Sequence, residues 1–460
     1  MKFSARQTAA YGLGAVGKDM VYALSVNYVM FYYQDVLGFP AGFVGLILMI
    51  ARIFDAANDP FMGILVDKTH TRMGRFRPWL LSGSVLNAFV LYFLFSAPDL
   101  SRGALMVWFS VLYILWGVTY TMMDIPYWSM IPAVTTRPEE RERLSVVGRT
   151  CAGIGNALIT VFTMQAVMAL GQGQEREGFA RVALIVAGLF VMAELVLVAA
   201  VRETRTEKMK TGTVREMFRA LLSNDQALVT VAVIICINSA LYLTLNLVIY
   251  FFKYDLGGAD WVGSYTVFNM VGGLCQILGM MLVYPLLRRR WSNPDVFKLC
   301  IISAVTGYAL ILVQCVLGLA TLPLLCICGA LVFLAIGILA VLTTVFLSGA
   351  VDYGELKTGR REESVIFSMQ TFVVKAASGL AVFVAGLGLE LIGLHGTSEQ
   401  TLQGVEAQSA GTLMGLRILM TLLPIAGLIL ALAIFRRRFT LTDERIRDIA
   451  DQLAKGRKQG

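Results

Sequence analysis

The sequence predicts an all-α integral membrane protein with twelve spanning helices, and two observations support this prediction. Of the 460 residues, 57% are hydrophobic and 15% are charged, whereas soluble domains are about 45–50% apolar and about 25% charged. The apolar residues also form long blocks that match the roughly 20 residues needed to cross a bilayer. The connections between these blocks are short, so no separate soluble domain is expected.

The predicted spans fall into two groups of six. The first group forms an N-terminal half over residues 1–201, and the second forms a C-terminal half over residues 227–435. A cytoplasmic middle loop covers 202–226, and the charged tail at 436–460 is expected to form a cytoplasmic helix. The spans are predicted at 10–33, 43–66, 79–96, 105–131, 146–170, 182–201, 227–252, 261–286, 296–317, 322–351, 364–392 and 412–435.

The basic residues predict the orientation of these spans. With both termini inside, the cytoplasmic segments hold 30 of the 39 lysines and arginines, and the outer segments hold four. Such a bias follows the positive-inside rule and predicts that both termini are cytoplasmic. No nucleophile–base constellation, phosphate loop or metal motif is evident, which argues against an enzyme. No cofactor and no nucleic-acid partner are expected.

The two halves show a loose internal correspondence. The loop after the second span contains GILVDKTHTRMGRFRP, and LLRRRWSNPD stands at the equivalent place in the second half. Two six-helix halves related by a parallel repeat, with a substrate site between them at the bilayer midplane, are typical of transporters. This layout predicts the major facilitator architecture.

Span two carries two acidic residues within the string RIFDAANDP. Asp55 and Asp59 are four residues apart, so a helix places both carboxylates on one face. Like charges in low dielectric repel, and a cation, a proton or the nearby Arg52 would relieve this repulsion. The oxygen of Asn58 adds to a ligand set that suits a hard cation. A closed salt-bridge network is the alternative, but two acids beside one base leave surplus negative charge.

Span four carries an acid beside aromatic residues, in TYTMMDIPYWSM. Tyr120 and Trp128 lie four residues before and after Asp124, and Thr121 lies three before it, so all four share a face. A ring that packs against the C–H face of a sugar, next to a carboxylate that accepts its hydroxyls, predicts a sugar site. A simple packing role for Trp128 is the alternative.

Further charges lie in other spans. In span one, Lys18 and Asp19 either neutralise each other or have additional partners, and neighbouring glycines permit close helix packing. Arg149 of span five either snorkels to the interface or joins the site. Lys375 of span eleven lies too deep to snorkel easily and is a candidate counter-ion for the acids of the first half. Glu194 and Glu390 lie near span ends or away from the cluster and are interpreted as structural, and Arg417 has no assigned role.

These strings resemble the glycoside–pentoside–hexuronide:cation symporters of the major facilitator superfamily, and within them the melibiose permease branch. The matching segments are YGLGAVGKD, ARIFDAANDP, RMGRFRPW, YILWGVTYTMMDIPYWS, VDYGELKTGRREES and SMQTFVVKAASG. The resemblance implies alternating-access symport of a galactoside with sodium, or with lithium or a proton. It also implies a multi-pass protein of the bacterial inner membrane that contacts lipid and functions as a monomer.

The resemblance implies a role for each matching position. The cation, with sodium favoured, would bind at Asp55, Asn58, Asp59 and Thr121. The sugar site would consist of Lys18, Asp19, Tyr120, Asp124, Trp128, Arg149, Gln370, Thr371 and Lys375. Cytoplasmic contacts that close one face would involve Arg141, Asp352, Arg361 and Glu363, with Glu355 in the same loop region.

Two positions in span ten depart from the family pattern. Ala340 stands where melibiose permeases have a tryptophan near the sugar, and Gly349 stands where they have an acid. The departures leave other substrates open, namely another glycoside, a pentoside, a hexuronide or a lysolipid. A sugar sensor that does not transport is a further alternative.

Overall fold

The computed structural model describes residues 4–69, 71–135, 138–203, 222, 224–258, 260–358, 363–394 and 408–459. Within these ranges the regular structure is helical, apart from an isolated bridge between Thr71 and Gly74. The chain divides into two compact units, one of Met1–Thr211 with Leu394–Ala407 and one of Gly212–Gly393 with Gln408–Gly460. Each unit is described by itself.

The described residues of the first unit form six long helices. They are α1 (Ala5–Phe31), α2 (Ala41–Lys68), α3 (Arg77–Phe95), α4 (Arg102–Val134), α5 (Pro138–Gly171) and α6 (Glu175–Ala200). The second unit contains α7 (Asp225–Tyr250), α8 (Trp261–Arg288, with a π turn at Gly279–Val283), α9 (Asn293–Val316), α10 (Leu322–Thr358), α11 (Glu363–Leu391), α12 (Ala410–Arg438) and α13 (Asp443–Gln459).

Eleven helices of the described residues are long and apolar enough to cross a membrane. They are α2 to α12. In α2, the candidate membrane span is Ala41–Gly63. The remaining predicted span, α1, has 27 residues, enough to cross about 30 Å of hydrocarbon. Lys18, Asp19 and three glycines dilute its apolar character. It packs along α5 and α6 and is therefore an integral part of its unit.

Close packing of α1 depends on its glycines, as the sequence predicts. A Cβ atom on Gly12 would lie 2.8 Å from Cys151 Sγ of α5. A Cβ atom on Gly17 would lie 2.9 Å from Cβ of Ala193 in α6. Because real Cβ atoms hardly ever come so close, a side chain at either position would force a neighbour to shift.

The loop between α2 and α3 is fixed to the end of α6 by one acid. The carboxylate of Glu203 accepts backbone hydrogen bonds from Arg75 at 2.8 Å, Phe76 at 2.8 Å and Arg77 at 3.1 Å. Amide groups at a helix N-terminus have no partner within the helix, and negative charge is favourable there. Glu203 thus caps α3 and holds the RMGRFRPW segment in place.

The first helix of each unit ends in a similar way. A π turn at Tyr32–Val36 follows α1, and another at Phe251–Leu256 follows α7. Each turn contains an acid that is followed by a glycine of positive φ. Asp35 lies three residues before Gly38, and Asp255 lies two residues before Gly257. This likeness supports an internal repeat independently of the loop strings.

The tail forms a helix, which confirms that part of the prediction. Ile446 of α13 packs against α10, where a Cβ atom on Gly349 would lie 2.9 Å from Ile446 Cδ1. The Asp443 carboxylate accepts hydrogen bonds from Arg288 at 2.8 Å and from the Asn293 side chain at 3.0 Å. The absence of a side chain at Gly349 therefore makes room for the tail helix.

The second unit contains a bidentate ion pair that gives Arg417 a role. Its Nε and Nη2 atoms donate to the two oxygens of Asp255 at 2.8 and 2.7 Å. The Asp255 side chain is 3% exposed, so this pair joins the π turn after α7 to α12 in a buried position.

Arg417→Ala is expected to destabilise the protein by about 3–5 kcal/mol, because it leaves the charge of Asp255 buried without its partner. The matched control is Arg181→Ala, since Arg181 pairs with Glu177 one turn away on the surface, where such pairs contribute about 0–1 kcal/mol. Thermal unfolding in detergent measures both. Equal losses for the two variants would contradict the structural role of the Asp255 pair.

Candidate functional site

The first candidate site lies between α2 and α4 and is called the cation cluster (Asp55, Asn58, Asp59 and Thr121). Thr121 Oγ1 of α4 donates a hydrogen bond to Asp59 Oδ1 at 3.3 Å. Asp55 is 6% exposed, and its carboxylate lies directly against Gly117 of α4. A Cβ atom on Gly117 would lie 2.9 Å from the Asp55 carboxyl carbon and closer still to Oδ1. The absence of a side chain at Gly117 thus admits the acid between the helices.

Asn58 completes the polar set on α2. Its Nδ2 atom is buried and has no hydrogen-bond partner among the described residues. Buried amide groups are nearly always hydrogen-bonded, and a rotation of the amide exchanges its nitrogen for its oxygen. The cation cluster therefore contains a polar group, the Asn58 amide, whose hydrogen-bonding atoms are not all used within the described residues.

Arg52 lies at one side of the cation cluster. Its Nη1 is 3.8 Å from Asp55 Oδ2, as the sequence predicts for a nearby positive group. Its guanidinium also lies over two rings, 5.3 Å from the Tyr22 centroid and 5.8 Å from that of Trp116. Contact with aromatic faces stabilises a cation at this depth. The sequence does not reveal these aromatic contacts, because Tyr22 is on α1 and Trp116 on α4.

The second candidate site centres on Lys18 and is called the lysine cluster (Lys18, Asp19, Tyr120, Asp124 and Trp128). The Lys18 ammonium is 2.9 Å from Asp19 Oδ2 and donates to Asp124 Oδ1 at 2.7 Å. Lys18 thus pairs both with its neighbour and with α4, so each of the two sequence interpretations is partly correct. Lys18 is 3% exposed, whereas the Asp124 side chain is 27% exposed and remains accessible to a solute.

Aromatic groups surround this ammonium. Tyr120 accepts a hydrogen bond from Lys18 at 3.1 Å, and the Trp128 indole donates to Asp124 Oδ1 at 3.2 Å. Arg149 of α5 lies over the same indole, 4.3 Å from the ring centroid. Arg149 therefore contacts the lysine cluster through Trp128, and its role in sugar binding stays a prediction. The hydrogen bond places Trp128 beside Asp124, as the helical spacing predicts, and its role as a sugar platform stays a prediction.

One helix carries parts of both clusters. Thr121 and Asp124 are three residues apart on α4 and belong to the cation cluster and the lysine cluster respectively. Tyr120 and Trp116 stack at 5.3 Å on the same helix. A change in the position of α4 would thus affect the two clusters together.

The remaining predicted site residues lie in the second unit or outside the described structure. Gln370 and Lys375 are partly buried on α11, and the backbone carbonyl of Lys375 accepts a hydrogen bond from the Ser378 hydroxyl at 2.7 Å. Asp352 is partly buried on α10. Arg361 and the side chains of Arg141, Glu363 and Thr371 lie outside the described residues.

Sequence reasoning missed several contributors to these clusters. Gly117 could have been found from its spacing, one helical turn before Thr121 on the face that meets α2. Tyr22 and Tyr127 carry no local signal for a role beside a cation, although Lys18 Nζ is 5.7 Å from the Tyr127 centroid. Glu194 is completely buried and interacts electrostatically with Lys18 and Asp124, so its interpretation as remote from the cluster is wrong.

Ionic clusters buried between spanning helices are typical of membrane transporters. Comparison with known proteins identifies the family of this protein. The sequence matches the family described as MFS/sugar transport protein over residues 10–443, and the chain therefore belongs to this family. The protein is a transporter and not an enzyme. The resemblance to glycoside–pentoside–hexuronide:cation symporters is confirmed, whereas the closer likeness to melibiose permeases stays a prediction.

Two relatives and one solved structure illustrate this similarity. The inner membrane symporter YicJ of Escherichia coli is 30% identical, over 99% of this chain and 96% of its own. The isoprimeverose transporter of Lactiplantibacillus pentosus is 29% identical, over 86% and 83%. A bacterial homologue of the human lysosomal transporter Spinster, in an inward-facing unoccupied conformation, aligns with a TM-score of 0.65 over 94% and 95%. At 13% identity, that last likeness shows the major facilitator fold alone.

Proposed function

We propose that the protein couples the entry of sodium to the uptake of a galactoside such as melibiose, by alternating access. The N-terminal half, residues 1–201, would carry the cation site and most of the sugar site. Family membership supports transport, and the names of the two relatives, a symporter and an isoprimeverose transporter, support cation coupling and a glycoside substrate. The cation cluster is the observation that carries the proposal.

The chemistry of the cation cluster favours a small hard cation. Two carboxylates, an amide and a hydroxyl lie at the contact of α2 with α4, and oxygen groups are the ligands that hard cations prefer. Arg52 at 3.8 Å compensates part of the charge of Asp55. A bound sodium or lithium ion would offset the remaining repulsion between Asp55 and Asp59. A proton on one carboxylate would do the same, and uptake with and without sodium at fixed pH separates these cases.

The lysine cluster favours a polyhydroxylated solute over a lysolipid. Asp124 and Asp19 accept hydrogen bonds from hydroxyl groups, and Lys18 and Arg149 donate to ring and hydroxyl oxygens. The Trp128 indole provides a flat apolar surface for the C–H face of the sugar. We propose Gln370, Thr371 and Lys375 of the C-terminal half as further contacts. The cytoplasmic contacts of Arg141, Asp352, Arg361 and Glu363 would open once both substrates are bound.

Coupling would pass through α4. A cation bound to Asp59 would also interact with the Thr121 hydroxyl, which donates to Asp59 at 3.3 Å in this structure. Asp124 is three residues further along the same helix. A cation therefore influences the position of the acid that we assign to the sugar. If sodium tightens sugar binding by some factor, the sugar must tighten sodium binding by the same factor.

The replacement Asp59→Cys tests the cation role. We expect it to abolish the stimulation of galactoside binding by sodium while sugar binding itself persists, because the lysine cluster is left intact. Purified protein titrated with a fluorescent galactoside, with and without sodium, measures this. Asp99→Cys is the matched control, since the Asp99 side chain is 92% exposed and lies away from both clusters.

Two outcomes would contradict the proposal. Sodium stimulation that is unchanged in Asp59→Cys would show that the cation binds elsewhere. Galactoside binding without counterflow in proteoliposomes would identify a sensor that does not transport.

A further inference from the structure

Glu194 is a buried acid that the proposed transport site does not use. It lies on α6 and is 0% exposed. Neither of its carboxylate oxygens has a hydrogen-bond partner within the described part of the chain. A charged residue inside a membrane span is costly, about 2.5–3.5 kcal/mol on insertion scales, and an acid whose oxygens accept no hydrogen bond there calls for a functional explanation.

The packing of α1 against α6 brings Glu194 to the level of the lysine cluster. Gly17 of α1 faces Ala193 of α6, where a Cβ atom on the glycine would lie 2.9 Å from Ala193 Cβ. Lys18 follows Gly17, and Glu194 follows Ala193. Consistent with this placement, Glu194 interacts electrostatically with Lys18 and with Asp124.

The local charge balance opposes ionisation of Glu194. The Lys18 ammonium already contacts two carboxylates, Asp19 at 2.9 Å and Asp124 at 2.7 Å. A third carboxylate would add further negative charge in a buried position. An ionised group buried without compensation costs several kcal/mol, and a carboxyl group avoids this cost by holding its proton.

Titratable and charged side chains on the elements packed against α6 are engaged elsewhere. The hydroxyls of Tyr11 and Tyr127 donate to each other's backbone carbonyls at 3.3 and 2.8 Å. Arg77 of α3 donates to the Val198 carbonyl at 2.9 Å. From α5, the Cys151 thiol faces Gly12, and Arg149 lies over the Trp128 indole. At the far end of α6, Tyr32 packs on Phe179, and Asp35 lies on the same π turn as Tyr32.

We propose that Glu194 is a proton-binding site next to the proposed sugar site, and that only its protonated form supports tight sugar binding. The second part rests on the proposed function. On ionisation the O–H bond of the carboxyl group breaks, the proton passes to water, and the carboxylate competes for the Lys18 ammonium. Lys18 then holds Asp19 and Asp124 less firmly in the arrangement that receives the sugar.

The proposal fixes the sign of the pH dependence. At low pH, Glu194 is protonated with or without sugar, and affinity does not depend on it. As pH rises through the titration of Glu194 in the free protein, sugar binding must take up one proton. Affinity then falls by at most tenfold per pH unit, because one proton is linked to binding.

Two measurements on the full-length protein test the proposal. The first is the infrared carbonyl band of protonated carboxyl groups at neutral pH, compared between wild type and Glu194→Gln. We expect the variant to lose part of this band. The second is the dissociation constant of a galactoside as a function of pH, at saturating sodium. We expect Glu194→Gln, which resembles the protonated acid, to remove the alkaline loss of affinity.

Glu177→Gln is the matched control, since Glu177 is an exposed acid on the same helix that pairs with Arg181. This control should retain both the wild-type infrared band and the wild-type pH profile. An unchanged infrared band in Glu194→Gln would overturn the proton site, whether or not any sugar binds. A lost band with an unchanged pH profile would overturn the link to sugar binding. Absence of galactoside binding to wild type at every pH would instead overturn the proposed function.

Discussion

Replacement of Gly117 by alanine is expected to abolish sodium stimulation of sugar binding and to lower sodium affinity by at least 100-fold. The new methyl group would occupy the space that holds the Asp55 carboxylate, since its carbon would lie 2.9 Å from the Asp55 carboxyl carbon. The aspartate side chain is short, so its carboxylate can avoid the methyl group only by leaving its place between α2 and α4. A loss of 100-fold corresponds to about 2.7 kcal/mol.

Gly103→Ala is the matched control for this prediction. Gly103 belongs to the same helix, and no atom lies within 4 Å of the place that an alanine Cβ would take there. The alanine should leave sodium and sugar binding as in the wild type. Titration of sodium at fixed galactoside concentration measures both variants. If Gly117→Ala responds to sodium within threefold of the wild type, Asp55 is not a ligand of the coupling cation.

The replacement Lys18→Met is expected to reduce galactoside binding by at least 100-fold at any sodium concentration. Methionine keeps an unbranched side chain only one atom shorter than lysine, but it removes the ammonium that pairs with Asp19 and Asp124. Removing one partner of a buried ion pair costs about 3–5 kcal/mol, so the two acids would take up protons or change position. Neither result preserves the arrangement proposed for the sugar.

A second substitution separates this effect from general unfolding. In Lys18→Met with Asp124→Asn, the surplus negative charge is reduced, and we expect thermal stability to recover while galactoside binding stays lost. Lys298→Met serves as the control, because Lys298 is an exposed partner of Asp295. Galactoside binding by Lys18→Met within threefold of the wild type would remove Lys18 from the sugar site.

Much of the fold could be predicted from the sequence, because the length and spacing of apolar blocks are local properties of the chain. The ends of the helices could be predicted less well. Helix α5 begins at Pro138 and α10 ends at Thr358, eight residues before and seven after the corresponding predicted spans. Hydropathy locates the apolar part of a helix, whereas the helix itself continues where charged residues still favour it.

The difference between local patterns and contacts of distant helices explains which site residues could be predicted. Asp55 and Asp59 share a helical face by spacing, and the pairing of Thr121 with Asp59 follows from the family resemblance. Arg417 and Asp255 are 162 residues apart, and no local pattern joins them. Glu194 stands alone in an apolar span, so only the packing of α6 on α1 reveals its closeness to Lys18. Contacts between distant helices are the part that sequence periodicity does not contain.

The central claim is that one cation and one sugar bind to coupled sites, and reciprocal calorimetric titration tests it most directly. Galactoside affinity is measured with and without sodium, and sodium affinity is measured with and without galactoside. We predict that each substrate tightens the other by the same factor, and that both effects disappear in Asp59→Cys. Galactoside binding of equal affinity with and without sodium would contradict the account.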